Sequence, residues 1–205
     1  MRMRRIAASL LAVLFLSRIL SGCAGTPEIR ERELPADRER LEQCLKELDL
    51  GFVVGGEDSF GEGHILHYLN TPEGQQAAMA ETYDNGEHRY SRVTLYAPRG
   101  NIAGVPAGEE MAFYQLACDL YADGLDAAVF SDGFQRQVDT GSGREETDRN
   151  TDVQLLEQQG EVYALLTLTC DEEGLRWQTL WLGNRAVYDD GMKERLERYL
   201  NRSGN

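Results

Sequence analysis

The dipeptide Asn85-Gly86 is the feature that most constrains the fold, because it stands between two segments typical of β-strands. Residues 75–84 precede it and residues 88–97 follow it, and the second segment alternates apolar and polar side chains around Val93. Asn-Gly is the favoured pair for a two-residue type I′ hairpin, in which both residues need a positive φ. The sequence therefore predicts an antiparallel hairpin here.

Further strands are predicted from short segments rich in β-branched and aromatic residues, each bounded by a glycine-containing turn. They precede the hairpin and recur as a meander near the C-terminus, where Trp177 and Trp181 share one face of the last strand. The expected strands are 52–54, 65–69, 127–130, 153–158, 161–170 and 175–182.

Three helices are predicted from apolar side chains that recur at helical spacing. The first begins near residue 35, the second spans about 109–122, and the third begins at Asp189. The stripe of the first helix is Leu41, Cys44, Leu45 and Leu48.

This order of elements predicts an α+β fold with an antiparallel sheet and about three flanking helices, because the connections between strands are short. We expect a single ectodomain over residues 36–205, with 36–98 and 108–205 as candidate related halves, each a helix followed by a strand meander. Residues 131–152 are polar and contain three glycines, so a mobile loop is predicted there.

The N-terminus has the pattern of a secretory signal. Arg2, Arg4 and Arg5 are followed by the apolar run 6–16, which as a helix would reach only about half of the ~30 Å hydrocarbon core. A permanent transmembrane helix is therefore the poorer interpretation, and we predict a signal peptide over residues 1–22 that is cleaved.

The sequence Leu20-Ser21-Gly22-Cys23 resembles the lipobox of bacterial lipoprotein precursors. The resemblance implies that the Cys23 thiol carries a diacylglyceryl group and that cleavage makes Cys23 the first residue of the mature chain. The protein would then be anchored by lipid to a cell membrane or cell envelope, on its extracytoplasmic side, with the polar residues 23–35 as a tether. Ordinary signal-peptidase cleavage after Ala24 is the alternative.

The charge of the mature chain limits the classes of partner. Removal of the four arginines that precede Cys23 leaves 17 basic and 35 acidic side chains, a net charge of −18. Such a charge disfavours nucleic acid, whose phosphates need lysine and arginine. We expect the membrane, through the anchor, and an envelope protein or a small ligand as partners.

Three cysteines remain after Cys23: Cys44, Cys118 and Cys170. Their number is odd and no Cys-x-x-Cys spacing occurs, so a zinc site is unsupported. Each lies on an apolar face, which favours three buried thiols; one disulfide with one free thiol is the alternative.

No catalytic motif is convincing. The sequence of residues 139–142 matches the Asp-Thr-Gly-Ser element of aspartic proteases, but its flanks are polar and it occurs once, whereas that chemistry needs two buried carboxylates. His64 and His67 should point to opposite faces of a strand, away from a common metal, and His88 flanks the hairpin turn. No phosphate-binding glycine loop or nucleophile elbow is present in the sequence, and no cofactor is implied.

Aromatic residues near the C-terminus offer a candidate binding face, although such residues are equally typical of a core. We therefore expect a lipid-anchored lipoprotein with a non-enzymatic binding ectodomain. The alternatives are an envelope hydrolase assembled from loop acids and histidines, and a purely structural envelope lipoprotein. The candidate face consists of Tyr163, Trp177, Trp181 and Tyr188.

Overall fold

A computed structural model describes residues 28–96, 109–140, 144–146, 151–171 and 174–196. They form the predicted α+β fold, in which one eight-stranded antiparallel sheet carries helices and a separate two-stranded sheet lies beside it. The strands are β1 (Arg30–Glu31), β2 (Val53–Ser59), β3 (His64–Asn70), β4 (Gln76–Asp84), β5 (Arg89–Tyr96), β6 (Ala122–Asp123), β7 (Arg144–Glu146), β8 (Thr151–Gln159), β9 (Val162–Asp171) and β10 (Gly174–Gly183).

The helical elements precede or follow the strand meanders. A π-helical turn, Tyr188–Met192, and helical residues 193–196 continue the last short helix; together we call 185–196 the C-terminal segment. Within the described ranges, no helix is long and apolar enough to cross a membrane. The helices are α1 (Arg38–Glu47), α2 (Glu109–Tyr121), α3 (Ala127–Asp139) and α4 (Arg185–Val187).

The large sheet consists of two meanders with the strand order β2-β3-β4-β5-β10-β9-β8-β7. The last strands of the two meanders, β5 and β10, pair antiparallel at the centre, where the hydroxyl oxygens of Thr94 and Thr179 lie 3.0 Å apart. The first meander follows α1 within residues 36–98, and the second follows α2 and α3 within residues 108–205. The strand order is symmetric about the antiparallel β5–β10 pair, so an approximate two-fold rotation through this pair would exchange the two meanders.

The main core lies between one face of this sheet, which we call the inner face, and helices α1 to α3. Three members of the predicted α1 stripe, Leu41, Cys44 and Leu45, are buried there. A buried polar contact crosses the same core, where the Tyr114 hydroxyl of α2 donates to Gln178 Oε1 of β10 at 2.7 Å. The opposite, outer face of the sheet is free of α1 to α3.

The prediction of a mobile loop over 131–152, and of a strand over 127–130, is wrong where these residues are described, because helix α3 occupies 127–139. Asp126 caps it by accepting a hydrogen bond from the Ala128 amide at 2.8 Å, and Phe130 and Phe134 are fully buried at helical spacing. Most other side chains in the second half of α3 are polar, so this short apolar stripe did not indicate a helix in the sequence. Residues 141–143 and 147–150 lie outside the described ranges.

The predicted tether is also shorter than expected. Strand β1 pairs with β6, and Leu34 and Ala36 are buried, so residues 28–36 belong to the folded domain. Residues 23–27 lie outside the described ranges.

Two arginines explain why this N-terminal segment is held. Helix α2 has no basic residue in its last turn, so its terminal carbonyl groups need donors from elsewhere. Arg40 donates to the Asp119 carbonyl at 3.1 Å, and the Arg89 Nη2 donates to the Tyr121 carbonyl at 3.1 Å. The same two guanidinium groups donate to carbonyls of the N-terminal segment, at Glu33 and Arg32.

The hairpin at Asn85-Gly86 is confirmed, but its predicted turn type is wrong. Asp84 pairs with Arg89, so the loop has four residues, and within it only Gly86 has a positive φ, of 88°. The Asn85 side chain closes the loop instead, because its Oδ1 accepts from the amides of residues 87 and 88 at 3.0 and 2.7 Å.

Two helix starts also differ from prediction by a few residues. Helix α1 begins at Arg38, because the Asp37 side chain accepts from the Arg40 amide at 2.9 Å. The last helical stretch begins at Arg185 rather than Asp189, with Asn184 as its cap.

Candidate functional site

The outer face of the sheet carries a cross-strand row of aromatic side chains. His64, Tyr83 and Tyr90 are direct neighbours in register on β3, β4 and β5, and the row continues through Gly183 to Tyr163. The ring centroids of His64 and Tyr83, and those of Tyr83 and Tyr90, lie 5.3 Å apart. The row is thus continuous over the first meander and broken at Gly183.

The C-terminal segment packs into this break. A Cβ at Gly183 would lie 2.6 Å from Val187 Cγ1, closer than real contacts allow, so only glycine gives the segment room. Val187 and Met192 are buried there against Tyr163 and Leu165. The chain therefore covers the outer face of its own second meander.

Three of the four predicted aromatic residues meet under or beside this segment. The rings of Tyr163 and Tyr188 stack with centroids 4.3 Å apart at 17°, and Trp181 packs in the same cluster. The Arg185 guanidinium lies over both tyrosine rings and donates to the Tyr163 hydroxyl at 2.9 Å. Trp177 is not part of this cluster, and 42% of its surface is exposed.

A second group of outer-face side chains surrounds the carboxylate of Glu81, which is only 6% exposed. It accepts from the Tyr90 hydroxyl at 2.6 Å and from Arg92 Nε at 2.7 Å, and His64 Nε2 lies 2.7 Å away. Burial raises the pKa of the Glu81 carboxyl, but the Arg92 charge and these hydrogen bonds outweigh burial and lower the pKa overall. Burial, together with the bond to Glu81, raises the pKa of the Tyr90 hydroxyl. The Glu81 carboxylate is thus held by three side chains of the same sheet face.

The three histidines do not converge. His67 faces the inner side, with Nε2 3.1 Å from the Ala36 carbonyl, while His88 pairs with Asp190 at 2.8 Å. Among the described residues, no group of three or more His, Cys, Asp or Glu side chains is placed to hold a metal ion. The geometry that the hydrolase alternative requires, histidines and loop acids in one cleft, is not found in the described part of the chain.

Four outer-face side chains, from the first meander and the start of β10, form what we call the aromatic patch: Tyr68, Met79, Tyr96 and Trp177. Tyr68 is opposite Met79, and Tyr96 is opposite Trp177. The Tyr96 hydroxyl lies 3.1 Å from Met79 Sδ, and the Tyr68 hydroxyl donates to Asp58 at 2.6 Å. Of these four residues only Trp177 was predicted to lie on a binding face, because placing the others beside it requires the register of four strands.

A separate cleft of about 900 Å³ lies beside the N-terminal segment. Its walls include Ile29 and Glu31, the β8–β9 turn at Glu161, and the Tyr163–Arg185 pair. Its volume is within the range of small-molecule sites. Tyr163 thus contacts both this cleft and the cluster beneath the C-terminal segment.

The thiols of Cys44 and Cys118 are buried and free, so these two cysteines do not form a disulfide. Burial raises the pKa of both thiols, most strongly that of Cys118. The side chain of Cys170 lies outside the described part of the structure.

Comparison of the chain with protein-family models, with curated proteins and with solved structures finds no match.

Proposed function

We propose that this chain is a lipid-anchored ectodomain on the extracytoplasmic side of a cell membrane or envelope, and that it binds a partner through the aromatic patch without catalysing a reaction. One observation carries the binding role. The chain's own C-terminal segment covers Tyr163 and Leu165 on the outer face of the second meander, whereas Trp177, at the start of β10, remains 42% exposed beside Tyr96. Tyr68, Met79 and Tyr96 beside it are half-buried, and contiguous apolar surface that stays partly exposed is typical of interaction sites.

The anchor rests on the lipobox-like residues 20–23. Five peptide units separate Cys23 from Glu28, which reach at most about 17 Å when extended. Because residues 28–36 are held against the domain, a lipid on Cys23 would keep the folded body close to the membrane surface. The binding surface would then work near the lipid headgroups rather than at the end of a long tether.

The anchor is tested in a bacterial host by feeding an alkyne analogue of palmitate and fractionating the cells. We expect the label and membrane association in the wild type and in the thiol control Cys44→Ala, and loss of both in Cys23→Ala. A mature N-terminus at Gly25 without lipid, determined by mass spectrometry, would establish ordinary secretion instead.

Binding is tested in the same cells with a photo-crosslinking phenylalanine derivative at position 177. The matched control places it at Gln43, an exposed position on α1 and therefore on the helical side of the sheet. We expect a discrete crosslinked species from position 177 and none from position 43. A purely structural role predicts no crosslink from either position and no ligand in native mass spectrometry, and that result would refute the proposal.

A further inference from the structure

The two meanders differ in what covers their outer faces. After β10 the chain turns back as the C-terminal segment, and Val187, Met192 and Leu196 pack onto Tyr163 and Leu165. Within the described ranges, the segment also reaches Tyr90 at the start of β5, whereas Tyr68, Met79 and Tyr96 of the first meander are not part of the cluster that it forms. Equivalent surfaces of one sheet are thus covered in one half and uncovered in the other.

The approximate two-fold rotation identifies which surface of the first meander corresponds to the covered one. It exchanges the end of β10 with the end of β5, the start of β9 with the start of β4, and the end of β8 with the end of β3. On the outer face these positions in the first meander are Tyr96, Met79 and Tyr68. They are three of the four members of the aromatic patch.

We infer that the aromatic patch is a docking site for an amphipathic α-helix of a partner protein, with an apolar face and flanking lysine or arginine residues. This inference rests on the proposed binding function and names its partner class. The chain itself shows that this type of surface accepts a short helical segment. The patch extends across β3, β4, β5 and β10, about 14 Å at the usual strand spacing, which a helix of about ten residues crosses.

Charge selects a basic partner. Asp58 lies on the patch at the Tyr68 hydroxyl, and Glu73 is exposed in the adjoining β3–β4 turn. The basic side chain of the neighbouring row, Arg92, is already paired with Glu81. An incoming helix with lysine or arginine beside its apolar face would therefore meet two carboxylates that form no ion pair with another described residue, which favours its association.

The test uses the complete mature chain from residue 23, with Cys23→Ala so that no lipid is present. The probes are two fluorescein-labelled 14-residue helical peptides with the same leucine face, one with lysine and one with glutamate on the flanks. Fluorescence anisotropy is measured for the parent, for Trp177→Ser in the patch, and for Val129→Ser, an equally exposed apolar residue on α3.

We expect the lysine peptide to bind at least tenfold more tightly than the glutamate peptide. Trp177→Ser should weaken this binding at least tenfold, and Val129→Ser should leave it unchanged. Equal affinity for the two peptides, or equal affinity in the two variants, would overturn the inference. A dimer of the parent chain that Trp177→Ser dissociates, seen by sedimentation, would overturn it in favour of a second copy as the occupant.

The peptide-binding test can fail while the proposed binding function still holds. A crosslink from position 177 in cells, without binding of the lysine peptide, would leave the binding role standing and remove the helical partner. Absence of both would remove both.

Discussion

Gly183 should control whether the C-terminal segment stays on the sheet. A methyl group in Gly183→Ala would lie 2.6 Å from Val187 Cγ1 and 2.8 Å from Val187 Cβ, where neither atom is the end of a flexible chain. Overpacking of this kind costs about 1–3 kcal/mol. We expect the urea midpoint of unfolding to fall accordingly, and amide hydrogen exchange to accelerate selectively over residues 185–196.

The matched control is Gly51→Ala, because no atom lies within 4 Å of a Cβ at that position. Its effect should stay within about 0.5 kcal/mol. The double variant Gly183→Ala/Val187→Ala should lose less stability than the sum of its single variants, since removal of the Val187 methyl groups makes room for the new one. Equal effects of Gly183→Ala and Gly51→Ala, or strict additivity in the double variant, would refute this account of the packing.

Three further predictions follow from buried polar and thiol groups. Arg89→Leu removes the donor that joins the N-terminal segment to α2 and leaves the Asp84 carboxylate without this partner. The free energy of unfolding should therefore fall by roughly 3–5 kcal/mol in equilibrium denaturation. A fall below about 1 kcal/mol would contradict this account. Glu81, whose pKa is lowered in the folded state by Arg92 and its hydrogen bonds, should contribute stability above the unfolded pKa of about 4.3 that is lost as the pH falls through the folded value. The urea midpoint of Glu81→Gln should therefore depend less on pH below 4 than that of the parent, and identical slopes would argue against the network. Cys44 and Cys118 should react with a maleimide only after unfolding, because burial raises the pKa of both thiols; rapid modification of either in the native protein, located by mass spectrometry, would contradict their burial.

Sequence reasoning succeeded where the signal is local. The hairpin around Asn85-Gly86 and the α1 stripe through Leu41 and Leu45 depend on neighbours within a few residues, and both are present. It failed at α3, because a helix whose buried stripe rests on Phe130 and Phe134 looks polar along most of its length. It also failed at residues 28–36, because the arginines that hold this segment come from distant parts of the chain.

By itself the sequence determined the acidic charge, the α+β class and the alternation that places Trp177 and Trp181 on one face of β10. The tertiary structure alone decided that these two tryptophans have different surroundings. Trp181 packs against the C-terminal segment, whereas Trp177 is exposed in the aromatic patch. The physical reason is that the alternation of side chains is a property of one strand, whereas burial depends on where a distant segment packs. Here the segment packs where the absence of a side chain at Gly183 leaves room for Val187.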